Sequence, residues 1–167
     1  RIKEKTAYHI LSDYLKEDNP SAKLFVIHRL DRDTSGLIMF AKSEEVQFKL
    51  QHSWNEMVLD RRYVAVISGH IDPDEGEISS YFAENSVHHV YSTSDKENGQ
   101  FALTKYKTLQ KNSRLSLVEV QLATGRKNQI RVHMSESGHP IAGDKRYGSK
   151  ENPLGRLSLH AFRLRFV

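Results

Sequence analysis

A charged segment at residues 28–36 constrains the fold more than any other part of the sequence, because it lies between two apolar runs. The flanking runs, residues 24–27 and 37–41, are each short enough to form a buried strand. The segment ends in Thr-Ser-Gly, which lets the backbone turn tightly and re-enter a core. Most charged loops are only solvated, but a carboxylate on a loop between buried strands is rigidly held and open to a ligand.

The loop sequence His-Arg-Leu-Asp-x-x-Thr-Ser-Gly resembles the signature of the RluA-type pseudouridine synthases, which isomerise uridine to pseudouridine in RNA. The resemblance implies that Asp31 is the catalytic residue. Arg29, two positions earlier, is then expected to fill the space that a flipped-out base vacates. His28 is expected to brace the loop.

Three later segments strengthen the resemblance, which covers most of the chain. They are Arg-x-Tyr-x-Ala-x-x-x-Gly at 61–69, Gly-Arg-Lys-Asn-Gln-Ile-Arg-Val-His at 125–133 with its continuation to residue 144, and Leu-His-Ala at 159–161. By resemblance, the ring of Tyr63 lies against the target base and its hydroxyl is a candidate acceptor for the C5 proton. Ile130 is expected to pack on the uracil.

Arg131 is the third expected catalytic residue. A closed base-binding pocket would raise the pKa of Asp31 above the usual value of about 3.9, and a buried arginine offsets this effect. We expect the guanidinium to hold the Asp31 carboxylate bidentately. Arg126, Lys127 and Gln129 in the same segment are further candidate RNA contacts.

Two features depart from the family pattern. Family members usually carry Lys-Pro-x-Gly on a strand before the signature loop, and none of the four prolines here lies in such a segment. Many relatives have Thr-His where this chain has Lys127-Asn128, a change that raises the local positive charge.

The charge distribution favours a phosphate-bearing partner. The net charge is +4, but residues 124–165 hold nine Lys/Arg against three Asp/Glu. Such a basic segment suits RNA, although a solubilising surface would explain the charge almost as well. No apolar run approaches the roughly 18 residues of a membrane span, and the absence of cysteine permits a cytoplasmic location.

The chain of 167 residues is long enough for one domain with a proper core. We expect residues 1–167 to be a catalytic domain excised from a longer protein, truncated at its first strand and in its last. A monomer is expected.

Periodicity predicts an α+β fold. Thr6 and Ser43 can cap helices, the second with Val46, Leu50, Trp54 and Met57 as a core stripe. Strands are predicted at 61–69, 104–109, 115–122 and 160–167, the last because Phe162, Leu164 and Phe166 alternate with Arg163, Arg165 and Val167, and hairpins are predicted at 79–101. A short helix is predicted at 128–137. The resemblance implies a mixed, mainly antiparallel bent sheet with helices on its outer faces and a central catalytic cleft.

The function expected is uridine isomerisation in ribosomal or transfer RNA. The reaction involves no redox change and loses no group, so it needs no metal and no cofactor. Two alternatives stay open. One is a non-catalytic RNA-binding module of the same fold. The other is a carboxylate-dependent glycoside hydrolase, which would need a second carboxyl group such as Asp33.

Overall fold

A computed structural model describes residues 6–167. The chain divides into two compact units. The first takes in the residues up to Leu30, then Ile38–Leu59 and Phe166–Val167. The second takes in Asp31–Leu37 and Asp60–Arg165. In the described part of the chain, no helix is long and apolar enough to span a membrane.

Within residues 6–167, the first unit contains three helices and a small sheet. Helix α1 (Ala7–Asp18) begins at the Thr6 cap, strands β1 (Phe25–Val26) and β3 (Phe40–Ala41) pair antiparallel, and α2 (Glu44–His52) begins at the Ser43 cap. A short helix α3 (Trp54–Met57) follows. Both predicted caps are confirmed, since each hydroxyl accepts a backbone N–H from the first turn.

The second unit is built on a seven-stranded sheet. Its strands are β2 (Ser35–Gly36), β4 (Val58–Ser68), β5 (Glu75–Glu84), β6 (Val90–Thr93), β7 (Gln100–Lys111), β8 (Leu115–Leu122) and β9 (Leu159–Phe166). They are arranged in the order β2-β9-β4-β8-β7-β5-β6. The β4–β8, β8–β7, β7–β5 and β5–β6 pairs are antiparallel, whereas β2 runs parallel to β9. The predicted α+β fold with a mixed, mainly antiparallel sheet is confirmed.

Helix α4 (Gln129–Glu136) and the centre of the sheet form the main core. Ala65 and Ile67 of β4 are fully buried on the same face as Val118 and Val120 of β8, because residues opposite each other in antiparallel strands share a face. Ile130 and Met134 of α4 belong to the same cluster, and Tyr63 packs against it. This packing places the β4 tyrosine and the N-terminal half of α4 on one side of the sheet.

One predicted core position is wrong, and the last strand is buried only at its start. Val46 is exposed although Leu50 on the same helix is buried, so the α2 stripe is narrower than its periodicity suggested. Phe162 and Phe166 are exposed, and the buried residues of β9 are Leu159 and Ala161. Burial therefore concentrates at the start of β9, where β2 pairs with it.

The signature loop is attached to the last strand of the sheet. Gly36 lies opposite Ala161 and has a φ of 121°, and a Cβ at Gly36 would lie 2.1 Å from the Ala161 carbonyl oxygen. Only glycine allows so close an approach in this backbone conformation. The Ser35 hydroxyl lies 2.9 Å from Nδ1 of His160. The Ser-Gly of one predicted motif thus packs on the Leu-His-Ala of another.

The residues flanking the loop depart from the expected pair of buried strands. Only two residues of each apolar run pair as strands, and Leu37 and Ile38 are exposed. In the first unit, His28 accepts the backbone N–H of Met39 at 3.1 Å, which agrees with the expected bracing role.

Candidate active site

Asp31 lies where the signature loop approaches the start of α4. Its Oδ1 accepts the backbone N–H of Asn128 at 3.3 Å, across 97 residues of sequence. Asn128 is buried and has a left-handed backbone (φ 54°, ψ 20°), a conformation that asparagine tolerates better than most residues. The turn before α4 therefore aims a backbone donor at the predicted catalytic carboxylate.

Arg131 is buried one turn into α4, but its bidentate partner is Asp144. Nε and Nη2 of Arg131 donate to the two oxygens of Asp144 at 2.7 and 2.8 Å, and Nη1 donates to Oδ1 of Asn128 at 3.0 Å. The expectation of a bidentate fork on Asp31 is corrected here, because Asp144 occupies the fork of Nε and Nη2.

The charge of Asp31 nevertheless acts on Arg131. Burial by itself would lower the pKa of Arg131, but the hydrogen bonds and charge of Asp144, together with the charge of Asp31, raise it. Arg131 therefore stays a cation close to two carboxylates. The structure thus places Arg131 within electrostatic range of Asp31 and adds Asp144 as the residue that orients its guanidinium.

Tyr147 completes this cluster. Its hydroxyl accepts Nδ2 of Asn128 at 3.2 Å and donates to the carbonyl oxygen of Val90 at 3.3 Å. The Arg131 guanidinium carbon lies 5.0 Å from the centre of the Tyr147 ring, within the range of a cation–π contact. Asp144 also accepts the Tyr147 backbone N–H at 3.1 Å. Asn128, Arg131, Asp144 and Tyr147 together form what we call the charged cluster.

Tyr63 and Arg61 lie on β4, on the face that carries the core. Burial raises the pKa of the Tyr63 hydroxyl; the Arg61 charge acts to lower it, and the Asp31 charge to raise it further. Both charges therefore lie within electrostatic reach of this phenol. The hydroxyl is neutral at pH 7, as a tyrosine ordinarily is, and the raised pKa makes its ionised form rarer still.

Gln129 braces the turn from inside. Its Oε1 accepts the Thr124 hydroxyl at 2.8 Å and the Arg126 N–H at 2.9 Å, and its Nε2 donates to the Leu103 carbonyl and the Thr104 hydroxyl. It is only 2% exposed. Gln129 was expected to contact RNA. Instead, its amide forms hydrogen bonds within the turn that contains Asn128.

The other candidate substrate-binding residues differ in exposure. Ile130 is 4% exposed and packs in the main core, so little of it remains for a uracil. Arg126 and Lys127 are exposed; Arg126 donates to the Phe101 carbonyl, and Lys127 pairs with Glu84 at 2.5 Å. Arg29 is exposed and belongs to the first unit.

A second polar network lies on another face of α4. His133 is fully buried, with Nδ1 2.8 Å from the Thr104 hydroxyl and Nε2 3.0 Å from the Ser80 hydroxyl. Ser80 contacts Ser92, and Ser92 donates to Glu136. Burial lowers the pKa of His133 to about 4, so the imidazole is neutral at pH 7. We call His133 with the hydroxyls of Thr104, Ser80 and Ser92 the neutral network; the carboxylate of Glu136 lies at its exposed end.

The sequence analysis assigned no role to Asn128, Asp144 or Tyr147. One signal was available. Asp144 is the only charged residue within Pro-Ile-Ala-Gly-Asp, and a lone carboxylate in an apolar, glycine-containing stretch is typical of a buried ion pair.

Comparisons with known proteins converge on one family. A family model described as RNA pseudouridylate synthase matches residues 3–136. The uncharacterized RNA pseudouridine synthase YhcT of Bacillus subtilis is 35% identical over 97% of this chain and 54% of its own length. Ribosomal large subunit pseudouridine synthase C of Vibrio cholerae is 34% identical over 92% of this chain and 50% of its own. The chain thus spans about half the length of these relatives.

A solved structure supports the same grouping. Human RNA pseudouridylate synthase domain containing 1 superposes with a TM-score of 0.78 at 30% identity, over 92% of this chain and 67% of that one.

Proposed function

The chain belongs to the RNA pseudouridylate synthase family, and we propose that it converts uridine to pseudouridine in ribosomal or transfer RNA with Asp31 as the catalytic carboxylate. The observation that carries the proposal is the hydrogen bond from the buried Asn128 N–H to Asp31, beside the buried Arg131. The name of the Vibrio cholerae relative favours ribosomal RNA as the substrate. We propose a cytoplasmic location, where both kinds of RNA occur.

The reaction exchanges one glycosidic bond for another. The bond from C1′ to N1 breaks, the detached uracil turns, and a bond from C1′ to C5 forms. C5 then releases its proton to solvent and N1 takes one up, so no atom is gained or lost. Asp31 acts either as a nucleophile or as the base that drives glycal formation. The Asn128 N–H stabilises its ionised form, since hydrogen bonds to a carboxylate favour the charged state. Arg131 adds a favourable field while Asp144 fixes its orientation.

Substrate contacts are assigned to the half-buried Tyr63 and to three exposed cations. A uridine inside a helix cannot present its glycosidic bond, so the target must leave its stack. The Tyr63 ring offers a flat surface for the flipped base, and Arg29 would fill the vacated space. Arg126 and Lys127 are proposed to bind phosphates, as exposed cations on RNA-binding surfaces do. Gln129 and Ile130 act indirectly, by fixing the turn and the core beneath it.

The test is the substitution Asp31→Asn, assayed on separated ribosomal and transfer RNA with labelled uridine. We expect pseudouridine formation to fall below roughly 1% of wild type, because one carboxylate carries the chemistry. RNA affinity should fall by less than about tenfold, since phosphate contacts carry binding.

Asp33→Asn is the matched control, two residues away in the same loop. Asp33 is exposed with a φ of 71°, so this variant should keep most activity. Equal loss in both variants would reject Asp31 as the single catalytic carboxylate. Unchanged RNA from the wild-type protein would point instead to a binding module, and released uracil to a hydrolase.

A further inference from the structure

Arg61 and Arg62 are adjacent on β4, and their side chains leave opposite faces of the sheet. Arg62 is committed to a structural role: its Nε lies 2.9 Å from Asp60 and its Nη1 2.8 Å from Glu119. Arg61 shares its face with Tyr63, because alternate residues of a strand point the same way. Two neighbouring cations thus face different surroundings, and one of them faces the candidate active site.

The Arg61 guanidinium lies against Gly125. A Cβ on Gly125 would lie 2.5 Å from Nη1 of Arg61, so the absence of a side chain at residue 125 leaves room for the guanidinium. Gly125 begins the turn that ends at Asn128, whose N–H holds Asp31. The charges of Arg61 and Asp31 both affect the pKa of the Tyr63 hydroxyl. Geometry therefore places a second cation in the surroundings of the carboxylate, on a separate element from Arg131.

The proposed isomerisation creates a charge that such a cation can stabilise. When the bond from C1′ to N1 breaks, its electron pair stays on the uracil and spreads over N1, O2 and O4. The pair is consumed when C5 bonds to C1′. The conjugation of the ring returns when C5 releases its proton to solvent and N1 takes one up. Attack of a carboxylate on the ring would also place negative charge on these oxygens. A prepositioned donor aimed at developing charge is worth about 100- to 1,000-fold in rate.

We propose that Arg61 donates a hydrogen bond to a carbonyl oxygen of the target uracil and stabilises the negative charge on the detached base. This inference rests on the proposed function. Partial burial strengthens the interaction, since a charge withdrawn from water acts through a lower effective dielectric constant. Burial also lowers the pKa of Arg61, but a guanidinium remains protonated at neutral pH.

The test compares Arg61→Lys and Arg61→Met with Arg62→Lys under single-turnover conditions at saturating protein. We expect a rate loss of about tenfold for Arg61→Lys and about 100- to 1,000-fold for Arg61→Met. Arg62→Lys keeps its charge beside two carboxylates and should stay within about threefold of wild type. RNA affinity and its salt dependence should be unchanged in all three variants.

Chemical rescue separates a charge effect from a folding defect. Arg61→Gly should regain at least about tenfold in rate when guanidinium chloride is added at millimolar concentration, far below the molar range that unfolds proteins. Gly125→Ala should lower the wild-type rate by crowding the guanidinium, and should have no further effect in Arg61→Gly.

Two results would overturn the inference. One is a wild-type single-turnover rate in Arg61→Met. The other is a salt slope lowered by about one with an unchanged rate, which would assign Arg61 to a phosphate. Wild-type protein that forms no pseudouridine would instead reject the proposed function itself.

Discussion

The charged cluster and the neutral network each include one buried residue of α4, Arg131 and His133. The two side chains differ in charge although both are buried. At Arg131 the charge is kept and matched by the buried carboxylate of Asp144. His133 is neutral, because burial lowers its pKa to about 4. The hydroxyls of Thr104 and Ser80 lie within hydrogen-bond distance of its two ring nitrogens. A buried pair costs desolvation free energy that a neutral network does not. This desolvation cost falls on the Arg131–Asp144 pair near Asp31. We infer that the Arg131 charge is retained for function.

Breaking the charged cluster should have the largest effect on activity. Arg131→Lys should lower the single-turnover rate by about ten- to a thousandfold, because lysine cannot reproduce the fork that Asp144 and Asn128 bind. Arg131→Met should lower it further, since it leaves Asp144 buried and unpaired. Asp144→Asn should lower the free energy of unfolding by about 3–5 kcal/mol.

Rates and urea melts on the same protein preparations would check these expectations. His133→Gln is the matched control, with a neutral amide in the other network. It should keep the wild-type rate at pH 7. Full activity in Arg131→Lys would remove Arg131 from the site.

Breaking the neutral network should change stability with pH and leave catalysis alone. The pKa of His133 is about 4 when folded and 6.5 when unfolded, so the unfolded chain binds more protons between these values. The free energy of unfolding should therefore fall as pH drops from about 6.5 to about 4. The full penalty below pH 4 is about 3 kcal/mol, from 1.36 kcal/mol per pKa unit.

Urea unfolding at several pH values would measure this loss, and His133→Gln should remove most of it. A wild-type stability that stays constant from pH 7 to pH 4 would contradict the buried neutral imidazole.

The smallest effects should come from the exposed cations beside the two regions. RNA binding should show a slope of log K on log salt of about −3 to −5, which corresponds to roughly four to six released counterions. Arg126→Met and Lys127→Met should each reduce that slope by about one. Filter binding across a salt series would test this, with His133→Gln as the unchanged control. A flat response in the wild type would argue against phosphate contacts.

Sequence patterns predicted the helix caps and the regular strands. The caps at Thr6 and Ser43 and the strands around 61–69 and 115–122 were predictable, because alternation and capping are local properties. The partner of Arg131 was not, since the choice between Asp31 and Asp144 depends on how the loop after α4 folds back. The exposure of Phe162 likewise depends on which neighbours cover β9.

The signature-loop motif could be recognised in the sequence, but its packing on β9 could not be predicted. Resemblance pointed to Asp31, yet nothing local shows that Gly36 packs on the backbone of Ala161. Such contacts between distant segments are set by sheet order, which periodicity does not encode.

That anchoring has a consequence for the timing of assembly during synthesis. The bond between Ser35 and His160 spans 125 residues, and at about 5–20 residues per second the ribosome needs roughly 6 to 25 s to make that length. For this interval a nascent chain carries the signature loop without the strand that holds it. On the proposed function, incomplete chains that end before β9 should therefore be unable to modify RNA.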